Sequence, residues 1–392
     1  MSEYYTGKVL SLVSEITIPT VDNASLGIHA FKVGGNSYLA FAKTILKWNP
    51  ETETFSSVAT VDIVHFEDHV TDITGFRKND GSYYLLYGGQ TGTTIQYEAE
   101  LHLFDSDEET VSYKDHIQLS HRIRAFQSMG EEENGRFLIA GRGTDSPSPF
   151  VVCSVVNDSL NTLASGSAAS PLWGIVWWYC EDNKVVYILS NNHSSTGSDP
   201  LTHHQLFEWD GNSSITNHGA VPSIPRMLRS KYVTVVKRNS DAYYTIGGIN
   251  TSPRFTMFKF DPITEEFELI ITEDYIVVSN SQHFIYDSWV DIDDIFCHSL
   301  GWEWNVGFIV ASAYGESAGH EPDWGYYNAP GLTRHATSWL EGETRYIALS
   351  HGHGDTDPAH LLTILKWDFP VAIPNLYAQQ QNGDIKLTWD YV

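Results

Sequence analysis

The chain has few cysteines and few basic residues for its length. Its 392 residues include 3 cysteines, too few and too scattered for a disulfide framework or a thiolate zinc site, so we expect them to fill core positions. Its 23 Lys and Arg stand against 49 Asp and Glu, and the formal net charge of −26 repels phosphate backbones and anionic lipid surfaces. Nucleic acid is therefore not an expected partner.

Long apolar runs and common catalytic motifs are missing as well. No run approaches the ~20 apolar residues of a membrane span, and Met1 to Lys8 lacks the basic start and apolar stretch of a signal peptide. We therefore expect no membrane insertion and a chain made without a signal peptide, located in a virion or in the cytoplasm. A nucleophile elbow, a phosphate loop and a zinc-protease motif are absent, which argues against hydrolysis by a catalytic triad.

Aromatic residues, in contrast, are abundant, and short segments repeat. Aromatics make up 13% of the chain, with 12 Trp and 21 Tyr, and no helical period is sustained, which favours strands. The pentapeptide Thr-Ile-Leu-Lys-Trp occurs at Thr44 to Trp48 and again at Thr363 to Trp367. Aromatic runs that end in small residues recur about every fifty residues where the register is clear. They begin at Tyr38, Tyr83, Phe137, Val185, Tyr243 and Tyr346.

Each run lies within a predicted unit of four antiparallel strands. A strand and a polar turn precede it, and a strand ending in an aromatic and an acid or amide follows, as at Lys47-Trp48-Asn49. Four strands per ~50 residues predict an all-β fold, a seven-bladed β-propeller of four-stranded antiparallel blades. The N-terminal strand, Lys8 to Ile18, is expected to complete the last blade and close the ring. The innermost strands should begin near His29, Val70, Ile123, Gly174, Val233, His283 and His335.

The repeated segments resemble two related propeller families. Gly247-Gly248 and Phe258 to Phe267 are similar to kelch repeats, and Ala30 to Ala42 is similar to the EPTP (EAR) repeat. Because both families are mainly binding scaffolds, the resemblance implies a binding function. Some kelch-type propellers are copper oxidases, but no tyrosine–cysteine arrangement suited to a copper radical is evident here. The sixth blade lacks the signature.

We divide the chain into a propeller at residues 1–370 and a C-terminal appendage at residues 371–392. Two segments of the appendage, Pro374 to Ala378 and Gly383 to Asp390, resemble the first two strands of a fibronectin type III module. The appendage is expected to be either a truncated module of that kind or a hairpin attached to the propeller.

Three long loops are predicted at one rim, and they carry polar and aromatic residues. They are Asn191 to His204, Gly315 to Tyr327 and His351 to His360. Flat aromatic rings match the apolar faces of sugars with little loss of side-chain entropy, so we predict a ligand-binding rim. Its residues are His193, His203, His320, Asp323, Trp324, Tyr326 and Tyr327.

The last of these loops has the residue types of a divalent metal site. Imidazoles and carboxylates bind Zn or Mn, and carboxylates bind Ca. The predicted ligands are His351, His353, Asp355, Asp357 and His360. The alternative is an Asp-Pro turn without metal, because Asp199-Pro200 occurs in another long loop. The acidic segments at Asp105 and Asp291 are likewise either calcium-attracting clusters or ordinary acidic turns.

The innermost strands would line a central channel that includes Asp72, Trp177 and Asp287. A polysaccharide lyase needs a His or Tyr base and an Arg that neutralises the uronate carboxylate, because proton abstraction builds charge there. The channel residues that offer these types are Arg122, Arg124, Tyr286 and His335. A channel lined by satisfied polar residues and water is the alternative.

The sequence thus favours a recognition module that binds a carbohydrate or a cell-surface protein through its long loops. A phage or virus structural protein, such as a tail-fibre or receptor-binding protein assembled into a larger structure, is the expected setting. The alternatives are a lyase acting on an acidic glycan through the channel, and a kelch-like protein-interaction scaffold.

Overall fold

The computed structural model is all-β in the residues that it describes, and these contain no helix. The described residues are 9–18, 27–66, 69–77, 81–90, 97–119, 122–129, 135–142, 147–169, 172–192, 204–224, 233–238, 240–247, 255–273, 283–290, 296–302, 308–313, 324–327, 333–351, 361–368, 376–381 and 384–389. No helix capable of crossing a membrane occurs in them.

Four-stranded antiparallel sheets make up nearly all of this part of the chain. Six are built from consecutive strands, and a seventh combines three consecutive strands with the N-terminal strand, β1 (Val9–Thr17). Sheet 1 contains β2 (Ile28–Val33), β3 (Asn36–Phe41), β4 (Thr44–Asn49) and β5 (Thr54–Thr60); sheet 2 contains β6 (His69–Arg77), β7 (Tyr83–Gln90), β8 (Tyr97–Asp105) and β9 (Thr110–Leu119). Sheet 3 contains β10 (Arg122–Ser128), β11 (Arg136–Arg142), β12 (Ser148–Val156) and β13 (Ser159–Ala168); sheet 4 contains β14 (Leu172–Cys180), β15 (Val185–Asn192), β16 (His204–Trp209) and β17 (Ile215–Ala220).

The remaining strands follow the same order along the chain. Sheet 5 contains β18 (Val233–Arg238), β19 (Asp241–Gly247), β20 (Phe255–Asp261) and β21 (Glu266–Glu273); sheet 6 contains β22 (His283–Val290), β23 (Phe296–Trp302), β24 (Phe308–Ala313) and β25 (Trp324–Tyr327). Sheet 7 contains β26 (Thr333–Glu341), β27 (Thr344–His351), β28 (Leu361–Asp368) and β1. A separate hairpin, β29 (Leu376–Gln381) and β30 (Asp384–Trp389), forms a two-stranded sheet.

The N-terminal strand completes the last sheet, as the sequence predicts. β1 pairs antiparallel with β28 from Val9 opposite Asp368 to Thr17 opposite Leu361. Both copies of the pentapeptide lie in third strands, β4 and β28. All seven predicted innermost strands are present as the first strands of their sheets.

The apolar core lies between consecutive sheets. Sheets 1 and 7, for example, share a cluster that contains Phe41, Trp48, Trp339 and Tyr346. The first strands of consecutive sheets also contact one another from β2 to β26, and β26 contacts β2. Cys153 and Cys180 are buried in such clusters, which confirms the predicted core role for these two, while the side chain of Cys297 lies outside the described part of the structure.

Acidic residues in the turns between third and fourth strands connect neighbouring sheets. Glu53, between β4 and β5, accepts hydrogen bonds from Tyr346 Oη (2.8 Å) and Lys366 Nζ (3.1 Å) of sheet 7. Glu109, between β8 and β9, accepts one from Lys47 Nζ of sheet 1 at 2.6 Å. Lys47 and Lys366 are the lysines of the two pentapeptides, so the repeated sequence makes the same contact twice.

The same contact occurs in two further sheets. Asp158, between β12 and β13, accepts a hydrogen bond from Tyr84 of sheet 2. Glu265, between β20 and β21, accepts one from Tyr187 Oη at 3.4 Å and lies 2.7 Å from His218 Nδ1, both in sheet 4. We call these four contacts the turn latches. Their acids all have positive φ angles: Glu53 51°, Glu109 52°, Asp158 63° and Glu265 58°.

Candidate functional site

The two ends of each sheet differ in their connections. At the turn end, short turns join first to second strands and third to fourth strands in most sheets, and residues with positive φ such as Gly34 and Asp158 close them. At the opposite end, the loop end, the connection from second to third strand lengthens, most of all from Asn192 to His204 and from His351 to Leu361. Connections that vary in length on a rigid scaffold are where binding residues concentrate, so the loop end is the candidate functional face.

Buried polar side chains are concentrated at the loop end. His204 Nε2 lies 3.1 Å from Tyr244 Oη of the next sheet, and Gln205 Oε1 accepts the Ala169 N–H at 2.6 Å. Burying a polar group lowers stability unless the group is hydrogen-bonded. Buried polar residues that break the pattern of an apolar interior are therefore expected at functional sites. The buried polar residues within three positions of this end include Thr44, Glu98, Ser148, Ser190, Asn191, His204, Gln205, Thr256, Thr333, Ser350 and His351.

A half-buried histidine near this end and a buried tyrosine are uncharged at neutral pH. Burial lowers the pKa of His29, in the first strand of sheet 1, to about 4. Its Nε2 lies 2.9 Å from Tyr83 Oη of sheet 2. Burial also raises the pKa of Tyr244, the partner of His204, well above its usual value. These two contacts between sheets are therefore made by neutral hydrogen-bonding rings.

The first strands of five sheets have a β-bulge close to the loop end. In sheet 3, Ile123 pairs with Gly141 and Ala125 pairs with Ala140, which leaves Arg124 as the extra residue. Equivalent register shifts occur within the first four residues of the first strands in sheets 2, 4, 6 and 7. The five extra residues, which we call the bulge set, are Thr71, Arg124, Trp173, Tyr286 and Arg334.

The bulge set lies near the loop end of five first strands, which contact one another directly or through the first strands of sheets 1 and 5. A bulge leaves its extra residue outside the ladder and redirects its side chain, and bulges are common beside active sites. The residue types of the set include two arginines, a tyrosine and a tryptophan. Arginine binds carboxylates in a bidentate fashion, and aromatic rings stack on sugars, so these types suit an acidic or carbohydrate ligand.

The four predicted lyase residues all lie in first strands. Arg122 and Arg124 are in β10, Tyr286 is in β22, and the structure describes these three by their backbone. His335 in β26 is half-buried, and its carbonyl accepts a hydrogen bond from Ser350 Oγ at 3.5 Å. Arg124 and Tyr286 prove to be equivalent bulge residues, whereas the convergence of their side chains stays a prediction.

Sequence reasoning missed Thr71, Trp173 and Arg334, which are bulge residues like Arg124 and Tyr286. The only signal for them is their place in the repeat, one or two residues after the start of a first strand. That signal could be used only after the strand boundaries were known. Trp177, also proposed for the channel, donates its indole N–H to the Ser128 carbonyl at 3.0 Å and connects sheets 3 and 4.

The predicted single rim is wrong for the sixth unit. Trp324, Tyr326 and Tyr327 are not in a loop, because β25 is the outer strand of sheet 6 and pairs with β24. The connection that precedes them, residues 314–323, joins third to fourth strand and therefore starts at the turn end. Whether a long segment joins second to third strand or third to fourth strand can be decided only when the strand order is known. The proposed ligands His193, His203, His320 and Asp323 lie outside the described residues, and ligand binding by this set stays a prediction.

Of the five predicted metal ligands, the structure describes His351. It is the last residue of β27, is buried, and its Nε2 lies 2.8 Å from Thr363 Oγ1. His353, Asp355, Asp357 and His360 lie outside the described residues, so this metal site stays a prediction. At Asp105, Oδ1 accepts the N–H groups of Asp107 (2.9 Å) and Glu108 (3.1 Å), the geometry of an ordinary acidic turn, whereas Asp291 lies outside the described residues.

No protein-family model matches the chain, and no curated protein sequence matches it. The resemblance to kelch and EPTP repeats therefore stays a prediction.

Proposed function

We propose that the seven sheets are the blades of one closed β-propeller. The proposal is supported by the contacts among first strands, which return from β26 to β2. It is also supported by the turn latches, because Lys366 of sheet 7 bonds Glu53 of sheet 1 as Lys47 of sheet 1 bonds Glu109 of sheet 2. If the sheets form a ring, the last sheet should contact the first through the same kind of turn latch that joins sheet 1 to sheet 2.

In this propeller the loop end is the binding face of a recognition module. The observation that carries the proposal is the bulge set, which places one extra backbone residue within the first four positions of each of five first strands. At the turn end, in contrast, the turn latches connect neighbouring sheets, and such connections favour a rigid scaffold. The residue types favour a carbohydrate, with Trp173 and Tyr286 for stacking and the arginines for acidic substituents. A virion location and the alternative of a cell-surface protein remain predictions.

Glycan-array binding tests the recognition function. Arg124→Ala and Trp173→Ala are expected to weaken binding of the selected glycan by about 30-fold, since a central anchor contributes about 2 kcal/mol. Ile263→Ser is the matched control, because Ile263 is 91% exposed in a turn at the opposite end. Equal affinity of all three variants would contradict a binding site at the bulge set.

A lyase acting on an acidic glycan is the second candidate, favoured by the equivalent placement of Arg124 and Tyr286. The Tyr286 phenolate would remove the proton beside the uronate carboxylate while the arginine neutralises that carboxylate. The electron pair would form a carbon–carbon double bond as the bond to the leaving oxygen breaks, and Tyr286 would return the proton to that oxygen. Incubation with acidic polysaccharides should then produce ultraviolet absorbance that Tyr286→Phe abolishes while binding persists. Binding without any absorbance from the wild type would exclude the enzyme.

A further inference from the structure

A cluster of two histidines and a glutamate lies at the loop end of sheet 2. Glu98 is in β8, His116 is in β9, and His65 is in the connection from sheet 1 to sheet 2. One ligand atom from each residue lies within 4.8 Å of the others. The two imidazole rings are stacked with centroids 3.7 Å apart, and His65 Nδ1 lies 3.6 Å from Glu98 Oε2.

The Glu98 carboxylate is buried beside these rings. Its side chain is 9% exposed, and its Oε2 makes no hydrogen bond with the part of the chain that the structure describes. A buried carboxylate oxygen needs donors or a cation to replace its lost hydration. The side chains that lie beside this oxygen are the two imidazoles, and imidazole is a side-chain type that commonly binds metal ions.

A tyrosine is placed to orient both rings. Tyr113 Oη lies 3.0 Å from His65 Nε2 and 3.0 Å from His116 Nδ1. When both nitrogens donate to this oxygen, the second nitrogen of each ring is left for a cation, and both tautomers are set.

Beneath the cluster, a second carboxylate holds the backbone of His65. Glu100 is fully buried and accepts the N–H groups of His65 and of Val64, the latter at 3.0 Å. His102 Nε2 lies 3.1 Å from its other oxygen. These backbone hydrogen bonds thus position His65 beside β8 and β9.

We propose that His65, Glu98 and His116 bind one divalent ion of the zinc class. Two imidazoles and one carboxylate with an open position form a common zinc donor set, whereas Ca²⁺ and Mg²⁺ prefer oxygen ligands. In a tetrahedral site with metal–ligand bonds of about 2.1 Å, the ligand atoms lie about 3.4 Å from one another. The side chains of His65 and His116 are partly exposed, which allows the ligand atoms to move to that separation. The site is separate from the predicted loop ligands between His351 and His360.

Zinc titration of the full chain, purified without a histidine tag and treated with chelator, tests the site. The wild type is expected to bind one tight equivalent at the cluster. Glu98→Gln, which keeps the side-chain shape, and His116→Ala should each weaken that affinity by more than about 100-fold, and Tyr113→Phe by about 10- to 100-fold, the usual effect of losing an orienting partner.

Two controls separate this site from other histidines. His218→Ala removes the histidine of a comparable group, Glu208, His218 and Glu265, and should leave tight zinc binding unchanged. His360→Ala removes a predicted ligand of the other loop and should also leave it unchanged. Zinc should raise the thermal midpoint of the wild type and of both controls but not of Glu98→Gln, because a ligand stabilises only the state that binds it.

Two results would overturn the proposal. One is the absence of a tight equivalent in the wild type or its persistence in Glu98→Gln. The other is that His360→Ala loses the tight zinc equivalent while His116→Ala keeps it, which would assign the metal to the loop. If His116→Ala does not fold, Glu98→Gln decides the matter by the same two measurements.

Discussion

At the scale of a single residue, Gly89 shows how closely the sheets approach one another. Gly89 ends the Gly88-Gly89 pair of β7, and a Cβ built on it would lie 1.9 Å from Cδ2 of Phe66. Phe66 is fully buried in the connection from sheet 1 to sheet 2. The sequence shows the Gly pair, but it does not say which side chain fills the space beside Gly89.

Gly89→Ala is therefore expected to destabilise the protein by about 1–3 kcal/mol, the usual cost of overpacking a core. Chemical denaturation of the single variants and of the double variant with Phe66→Leu measures the coupling. The alanine should cost less when the smaller leucine is present. Strictly additive effects would mean that the ring is not what Gly89 accommodates.

At the scale of a strand, the alternation of side chains explains the pentapeptide. Successive residues point to opposite faces, so Trp48 packs on Trp339 and Tyr346 of sheet 7 while Lys47 reaches Glu109 of sheet 2. One short motif thus contacts both neighbouring sheets.

The acidic residues that accept hydrogen bonds from these lysines, Glu53 and Glu109, have left-handed backbone conformations. Such a conformation costs about 1–2 kcal/mol per residue, so the hydrogen bonds offset this backbone strain.

Glu53→Gln tests a turn latch through its pH dependence. The hydrogen bond from Tyr346, helped by Lys366, lowers the pKa of Glu53 despite partial desolvation. A carboxylate with a lowered folded pKa stabilises the fold above its unfolded pKa of about 4.3 and loses that effect as the pH falls through the folded value.

The wild type should exceed Glu53→Gln in unfolding free energy by about 0.5–1 kcal/mol at neutral pH, as for other partly exposed ion pairs, and the difference should disappear as the pH falls through the lowered folded pKa. Denaturation from neutral to acid pH measures it. Glu51→Gln is the control, because it removes the same charge from an exposed site in the same turn. A pH-independent difference would argue against the latch.

At the scale of the whole molecule, the N-terminal strand is the element that connects the two ends of the chain. β1 hydrogen-bonds along β28, and Val13 and Ile16 pack against the cluster shared by sheets 1 and 7. Without β1, the backbone edge of β28 would be unpaired, and an unpaired edge promotes aggregation. The hairpin of β29 and β30 pairs only within itself among the described strands.

Deletion of residues 1–18 is expected to lower the thermal midpoint by about 5 °C or more and to cause aggregation. Ile18 is buried, and Leu10, Val13 and Ile16 are half-buried against the neighbouring clusters, so together they contribute about 5 kcal/mol. In a chain of 392 residues each kcal/mol corresponds to about 1 °C. Deletion of residues 371–392 is the matched control and should shift the midpoint by less than about 2 °C. Differential scanning fluorimetry with size-exclusion chromatography compares them. Equal midpoints would mean that β1 does not support the fold.

Much of the strand order could be predicted from the sequence, and most of the candidate site could not. The first strands, the pentapeptide strands and the pairing of β1 with β28 follow from repeats and alternation, which are local properties of the chain. The rim at Trp324 to Tyr327 was misplaced, because a long connection between third and fourth strands looks like any other loop.

The sequence by itself determined an all-β chain of repeated four-stranded units, with Thr-Ile-Leu-Lys-Trp in third strands. Only the tertiary structure decided that Arg124 and Tyr286 occupy equivalent bulges, that Glu53 receives Tyr346, and that His65 lies against Glu98. The physical reason is that alternation and turn residues act between neighbours along the chain. Bulge register and contacts between sheets depend instead on how distant segments pack.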